Sequence, residues 1–261
     1  MPFRESLIHQ TSGCIVVCEL SVVDIQNMDE ITSETGISKR NCIPFLHPFT
    51  GIIAGPTGCG KTQLLKRILI NHKHSIFPSP QRIIWYYAEH QYDVERDLKP
   101  VGVEFQQGMP DLNEFNGKER TLLIIDDFMS EAGGEITKLF TKGSHHRNLS
   151  IWFIMQNIFH KGKEIRTITL NAHYLIMFKN PRDKQQVKVL ARQMFDKDSK
   201  VMEEAFTDAT STPHGYLLAD VKQATPDHLR LRTNIVPGDV LTVYTSKKTF
   251  KKDSIEVEQQ T

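Results

Sequence analysis

From Pro48 onward the chain switches repeatedly between two spacings of apolar residues. Short apolar runs occur at Thr50 to Ala54, Arg82 to Ala88, Thr121 to Ile125, Ser150 to Met155 and Tyr174 to Phe178. Their length and content of β-branched and aromatic residues predict strands buried on both faces. Between them the apolar residues fall at helical spacing. Leu64, Leu65, Ile68 and Leu69 share one stripe of Thr62 to Ile70, and Val187, Leu190, Ala191, Met194 and Phe195 share one stripe of Gln185 to Phe195. Strands alternating with helices predict an α/β fold with a mostly parallel central sheet flanked by helices. Residues 1–42 hold one apolar alternation, around Cys14 to Val23, and then a polar stretch, as expected of an arm or added strands. Residues 246–261 carry a basic and then an acidic block and read as a polar tail. The expected organisation is therefore 1–42, a principal domain over 43–245, and 246–261, without internal repeats.

Composition narrows the class. The 261 residues are 39% hydrophobic, 24% charged and 8% aromatic, which excludes disordered, collagen-like and coiled-coil chains. The longest apolar runs fall far short of the ~18 residues a spanning helix needs, so no membrane is expected. Cys14, Cys18, Cys42 and Cys59 are too few to staple a chain of this length. A zinc site from Cys14, Cys18 and Cys42 with His9 or His47 fits no compact knuckle spacing and lacks a CxxC pair. The first residues lack the basic and apolar regions of a secretory signal, and the expected setting is a reducing interior, cytoplasm or nucleus. Net charge is only +1, but its distribution is uneven. Between Lys142 and Lys200 twelve basic residues face four acidic ones, a local excess of +8. Such a segment suggests a polyanionic partner.

The chemistry begins at Gly55. Gly55, Pro56, Thr57, Gly58, Cys59, Gly60, Lys61 and Thr62 match GxxxxGK[ST] between an apolar strand and an amphipathic helix, the setting of a P-loop. Its glycines let backbone N–H groups turn inward around phosphate oxygens at a helix N-terminus, whose dipole also favours anions. Lys61 is expected to reach the β- and γ-phosphates of ATP, and Thr62 to offer its hydroxyl to Mg²⁺. Pro56, Thr57 and Cys59 fill the loop.

A P-loop needs a carboxylate for its metal, and the apolar strand before Phe128 ends at Asp126 and Asp127. Asp126 is the expected metal partner. Asp127 is placed to orient and deprotonate water, or else the pair caps a following helix. Gln156 ends the next apolar run, at the sheet edge where ligands collect in open α/β sheets, and is a candidate contact for the γ-phosphate or the lytic water. ATP hydrolysis is the expected reaction. A nucleoside or nucleotide kinase and a non-hydrolysing P-loop scaffold are the alternatives.

The succession GPTGCGKT, LLIIDD, SHHRNLSIWFIMQN and NAHYLIMFKNPRD resembles the HerA/FtsK superfamily of DNA-pumping ATPases. Within it the chain is most similar to genome-packaging ATPases of Polinton or Maverick elements and related DNA viruses, and more distantly to those of poxviruses. The resemblance covers roughly Pro48 to Asn234. It implies a P-loop NTPase of the additional-strand, RecA-like type, with the Gln156 strand between the P-loop strand and the Asp126 strand. It also implies a homo-oligomeric ring of five or six subunits that threads double-stranded DNA without regard to sequence, with a capsid or portal protein as a further partner. An association with the virion, besides the host cytoplasm or nucleus, follows from the same likeness. Asp127 stands where many members have Glu. The arginine that acts in trans on a neighbour's ATP is assigned to Arg147 or to Arg182, the former displaced by two positions from its place in cellular members. Lys184, Lys188 and Arg192 recur every four residues opposite an apolar stripe and are candidate contacts for DNA phosphates, with Arg230 and Arg232 as weaker ones.

Overall fold

The computed structural model describes residues 8–20, 42–126, 128, 134–143, 147–158, 163–183, 185–195 and 198–249. In chain order the strands are β1 (Ile8–Ser12), β2 (Ile15–Leu20), β3 (Phe45–Leu46), β4 (Thr50–Ala54), β5 (Ile76–Phe77), β6 (Arg82–Tyr87), β7 (Val103–Gln107), β8 (Thr121–Asp126), β9 (Leu149–Met155), β10 (Tyr174–Phe178), β11 (Tyr216–Asp220), β12 (Leu231–Thr233) and β13 (Leu241–Ser246). The helices are α1 (Lys61–Ile70), α2 (His72–Ser75), α3 (Tyr92–Leu98), α4 (Gly134–Lys138), α5 (Lys163–Leu170), α6 (Gln185–Phe195) and α7 (Ser199–Ala209). These elements divide into two compact units, Pro44–Phe178 and Met1–Ile43 with Lys179–Thr261.

The unit Pro44–Phe178 is built on a parallel sheet in the order β10-β4-β9-β8-β6-β7. Every residue of β4, β8, β9 and β10 is buried, as their unbroken apolar runs require of strands covered on both faces. β9 lies between β4 and β8, so the carboxyl ends of these three strands bring Ala54, Asp126 and Met155 to one sheet edge. The opposite edge is fastened. Phe45 and Phe49 pack edge-on against Trp152, with ring centroids 5.0 and 5.1 Å apart. His47 bridges the side chains of Ser150 and Asn148 at 2.5 and 2.9 Å, and the Thr50 hydroxyl donates to the Asn171 carbonyl. The site edge therefore extends from a rigid base. α1 buries Leu64, Leu65, Ile68 and Leu69 as its stripe predicts, each side chain contributing about 1.5–3 kcal/mol. Lys66 is also buried, and its ammonium pairs with Asp97 of α3.

The other unit joins the two ends of the chain. β1 and β2 form an antiparallel hairpin, β2 pairs with β13, β13 with β12 and β12 with β11, all antiparallel. The strand character expected for the first residues is thus observed at 8–20. Residues 179–245, expected to belong to the nucleotide-binding segment, cluster with that hairpin. α7 is tied to the sheet by the Tyr244 hydroxyl, which donates to Asp208 Oδ2 at 2.8 Å, and by the Cys14 N–H, which donates to Glu204 Oε2 at 2.7 Å. Arg232 corrects an expectation: its side chain is 2% exposed and its Nη2 pairs with Asp220 Oδ2 at 2.7 Å. A guanidinium inside such a pair is not available to DNA phosphates. Arg230 is engaged as well, donating to Asp227 and to the carbonyls of Asp220 and Lys222. No helix among the described residues is long and apolar enough to cross a membrane.

Candidate nucleotide site

The loop after β4 is shaped by its glycines. Gly58 and Gly60 have φ of 78° and 110°, in the left-handed region that side chains disfavour. Gly55 is needed for a different reason, because a Cβ there would lie 2.7 Å from both Cys59 Sγ and Phe178 Cβ. The loop is closed on itself by the Cys59 N–H donating to Pro56 O at 3.3 Å, and it is fixed to β9 by the Gly55 N–H donating to Met155 O at 3.2 Å. Thr57 and Gly58 are exposed at its tip. α1 begins at Lys61, one residue earlier than its stripe predicts, and its first turn holds no acidic residue to neutralise the helix N-terminus. An exposed loop tip and a helix start without an acidic residue or a side-chain cap favour an anion here. The Lys61 ammonium lies back over the loop, donating to the carbonyls of Gly55 at 2.6 Å and Pro56 at 3.0 Å. Burial pushes the Cys59 thiol pKa up against the opposing pull of Lys61, so Cys59 is a filler and not a thiolate.

Asp126 closes β8 and is only 5% exposed. Its register partner in β9 is Ile154, which is also the partner of Ile53 in β4. Two strand spacings, about 10 Å in all, therefore separate Asp126 from the strand that feeds the loop. Thr62, half-buried in the first turn of α1, belongs to the same edge. A hydroxyl and a carboxylate at the rim of an anion cradle are the hard oxygen donors that Mg²⁺ takes, alongside phosphate and water. The residues present therefore fit ATP with Mg²⁺. Gln156 directly follows β9 and is exposed, between the ends of β4 and β8. Asp127 lies outside the described residues. One contact at this edge escapes the motif pattern: Gln91 Nε2 donates to Asp126 Oδ2 at 3.0 Å. The signal for it is positional, since Gln91 follows β6, whose register partner for Asp126 is Tyr87.

The two candidate arginines occupy unlike settings. Arg147, in the turn entering β9, uses Nη1 to donate to the carbonyls of Leu112 at 3.2 Å and Phe115 at 2.5 Å. Arg182 is exposed in the turn before α6, where its N–H donates to Asn180 Oδ1 at 3.1 Å. On α6, Lys188 and Arg192 are exposed while Val187, Leu190 and Ala191 are buried, as the spacing predicts. Lys184 lies outside the described residues. Lys188 also lines a cleft of about 300 Å³ with Lys179, Asp183, Glu203 and Phe206. Among the described residues, no three His, Cys, Asp or Glu side chains converge as metal ligands, and burial pushes the Cys18 thiol up to about 11.

No family model matches the chain. A stretch of 63 residues, 24% of the chain, is 35% identical to packaging protein 1 of human adenovirus C serotype 5 and spans 14% of that protein's length. In structure the chain is similar to the genome packaging NTPase B204 of Sulfolobus turreted icosahedral virus 2, solved with ATP-gammaS. That likeness has a TM-score of 0.43 and 13% identity, covering 68% of this chain and 94% of the other. It is also similar to the cytoplasmic domain of the type VII secretion ATPase EccC of Thermomonospora curvata. Here the TM-score is 0.46 and the identity 11%, over 93% of this chain and 30% of the other. With TM-scores below 0.5, neither structural likeness bears on function.

Proposed function

We propose that this chain is a Mg²⁺-dependent ATPase of the additional-strand, HerA/FtsK kind that drives double-stranded DNA into a viral or virus-like capsid. The observation that carries it is the strand order β4-β9-β8, which sets Gln156 between the phosphate loop and Asp126. The short likeness to an adenoviral packaging protein supports the packaging half.

In this proposal Lys61 exchanges the carbonyls of Gly55 and Pro56 for the β- and γ-phosphates. Thr62 and Asp126 would hold Mg²⁺, which would supply charge neutralisation to the phosphate oxygens. Asp127 orients the attacking water and accepts its proton, and Gln156 holds that water or the γ-phosphate in line. An arginine from the next subunit of a five- or six-membered ring completes the charge. Arg182 has the exposure that reaching out of a subunit demands, whereas Arg147 spends one nitrogen on its own backbone. Lys184, Lys188 and Arg192 contact DNA phosphates without reading bases.

The test is steady-state ATP hydrolysis with Mg²⁺, with and without double-stranded DNA. Turnover stimulated by DNA is expected. Phosphate recovered on an added nucleoside would mark a kinase, and tight ATP binding without turnover a scaffold.

A further inference from the structure

Gln91 stands outside the P-loop and Walker B motifs, yet its side-chain amide donates to the buried Asp126 carboxylate, at 3.0 Å on Oδ2. Its own position is fixed twice. Its carbonyl accepts the N–H groups of Val94 and Glu95, both at 3.1 Å, which makes it the N-cap of α3. The preceding residue is held too, because His90 Nε2 meets Glu95 Oε2 at 2.6 Å. α3 is in turn fastened to the P-loop helix, since Asp97 pairs with Lys66 of α1, a lysine only 8% exposed. A closed path thus runs from the P-loop helix α1 through Lys66 and Asp97 into α3, and from its N-cap through Gln91 to the end of β8.

We propose that Gln91 is a positioning residue for Asp126, holding one carboxylate oxygen so that the other is presented toward Thr62 and the Mg²⁺ of the nucleotide. An amide donor on one oxygen of a carboxylate adds a restraint on rotation about its last bond. Hydrogen bonds of this kind to metal-holding carboxylates are worth about 10–100-fold in metal affinity. The proposal rests on the nucleotide-site assignment made above, and it adds that α3 shares control of the metal carboxylate with the P-loop helix.

The experiment titrates Mg²⁺ into the full chain with a fluorescent ATP analogue and reads nucleotide binding directly, without turnover. Gln91 is exposed, so Gln91→Ala and the similarly sized, donor-free Gln91→Met leave the core untouched. Both are expected to bind the analogue like wild type in EDTA and to need about ten times more Mg²⁺ for half-saturation of the metal-dependent gain. In turnover assays at saturating Mg²⁺, KM for Mg–ATP should be close to wild type, whereas at limiting Mg²⁺ it should rise. A Gln91→Met midpoint equal to wild type overturns the proposal, because the amide would then contribute nothing. A wild-type chain whose nucleotide binding ignores Mg²⁺ overturns the site assignment itself, a result distinguishable from the first.

Discussion

The N–H of Gly55 donates to the carbonyl of Met155 at 3.2 Å, so the phosphate loop hangs from the last residue of the strand that Gln156 follows. This bond ties the loop to the backbone next to the γ-phosphate candidate. Gly55→Ala keeps that N–H but drives a methyl to 2.7 Å from Cys59 Sγ and Phe178 Cβ. Cys59 can rotate away, whereas the Phe178 Cβ sits against its own backbone and cannot. Overpacking of this kind costs about 1–3 kcal/mol. The expected result is a fall in nucleotide affinity of at least about tenfold, matching the 1.4 kcal/mol such a factor represents, with a folded chain. Nucleotide titration beside a thermal melt checks both parts.

Lys61→Ala should lower turnover at least about a hundredfold, the scale of removing one electrostatic partner of a developing charge. Its ammonium donates to two carbonyls of its own loop, so the melt should shift little. More than a tenth of wild-type turnover would end the cradle assignment.

Asp126→Asn and Asp127→Asn should part company. The first removes charge from a buried carboxylate assigned to the metal and should weaken Mg²⁺-dependent nucleotide binding. The second should spare binding and stop turnover, because its assigned work is on water. Equal loss of binding in both variants would abolish the division of roles.

Much of the fold, and the sheet edge that carries the candidate site, was legible because a parallel sheet buried on both faces writes its strands as unbroken apolar runs. Tyr174–Phe178 and Gln185–Phe195 coincide with their predicted bounds. α1 starts a residue early because Gly60, at φ 110°, completes the turn and leaves Lys61 helical. What stayed hidden depends on tertiary pairing. Lys66 lies on an inner face, where a charge is not expected, because Asp97 meets it from 31 residues away. Arg232 looks like a DNA contact until Asp220 is seen beside it. Gln91 stands just before the polar helix segment YDVERDL, of which only Val94 and Leu98 are buried, so periodicity says little about it. Its partner Asp126 is separated by 35 residues and joined only by the order of strands.

Lys222 predicts a stability that depends on pH. Burial pushes its ammonium down from 10.5 to about 8, the Asp220 charge opposing only in part. The folded pKa is the lower one, so the unfolded chain binds the extra proton between these values and stability rises with pH across that window. Below about pH 8 the full cost is present. Lys222→Met should therefore stabilise near neutrality by about 1–2 kcal/mol, at roughly 1.4 kcal/mol per pKa unit discounted for partial exposure. Urea melts near pH 7 and pH 10 should show the gain shrinking with pH. A gain independent of pH would mean that packing, not charge, is responsible.

The two arginines are separable because the Arg147 side chain is tied to carbonyls of its own chain and Arg182 is exposed. Arg147→Ala strips a donor from the carbonyl of Leu112, which keeps the Phe115 N–H, and from the carbonyl of Phe115, and an acceptor left short of a partner away from water costs about 1–3 kcal/mol. Arg182 is exposed, and substitutions at such positions stay within about 0.5 kcal/mol. Arg147→Ala should therefore melt earlier than wild type, and Arg182→Ala should not. If Arg182 acts in trans, Arg182→Ala should bind ATP normally and lose turnover by about 10³ to 10⁵-fold. Mixed with Lys61→Ala it should regain activity, since some interfaces then pair an intact Lys61 with an intact Arg182. An Arg147→Ala variant that melts like wild type, loses turnover and is rescued by Lys61→Ala would transfer the role to Arg147. Normal hydrolysis by both variants in the presence of DNA would remove the trans-acting arginine, and with it the proposed ring mechanism.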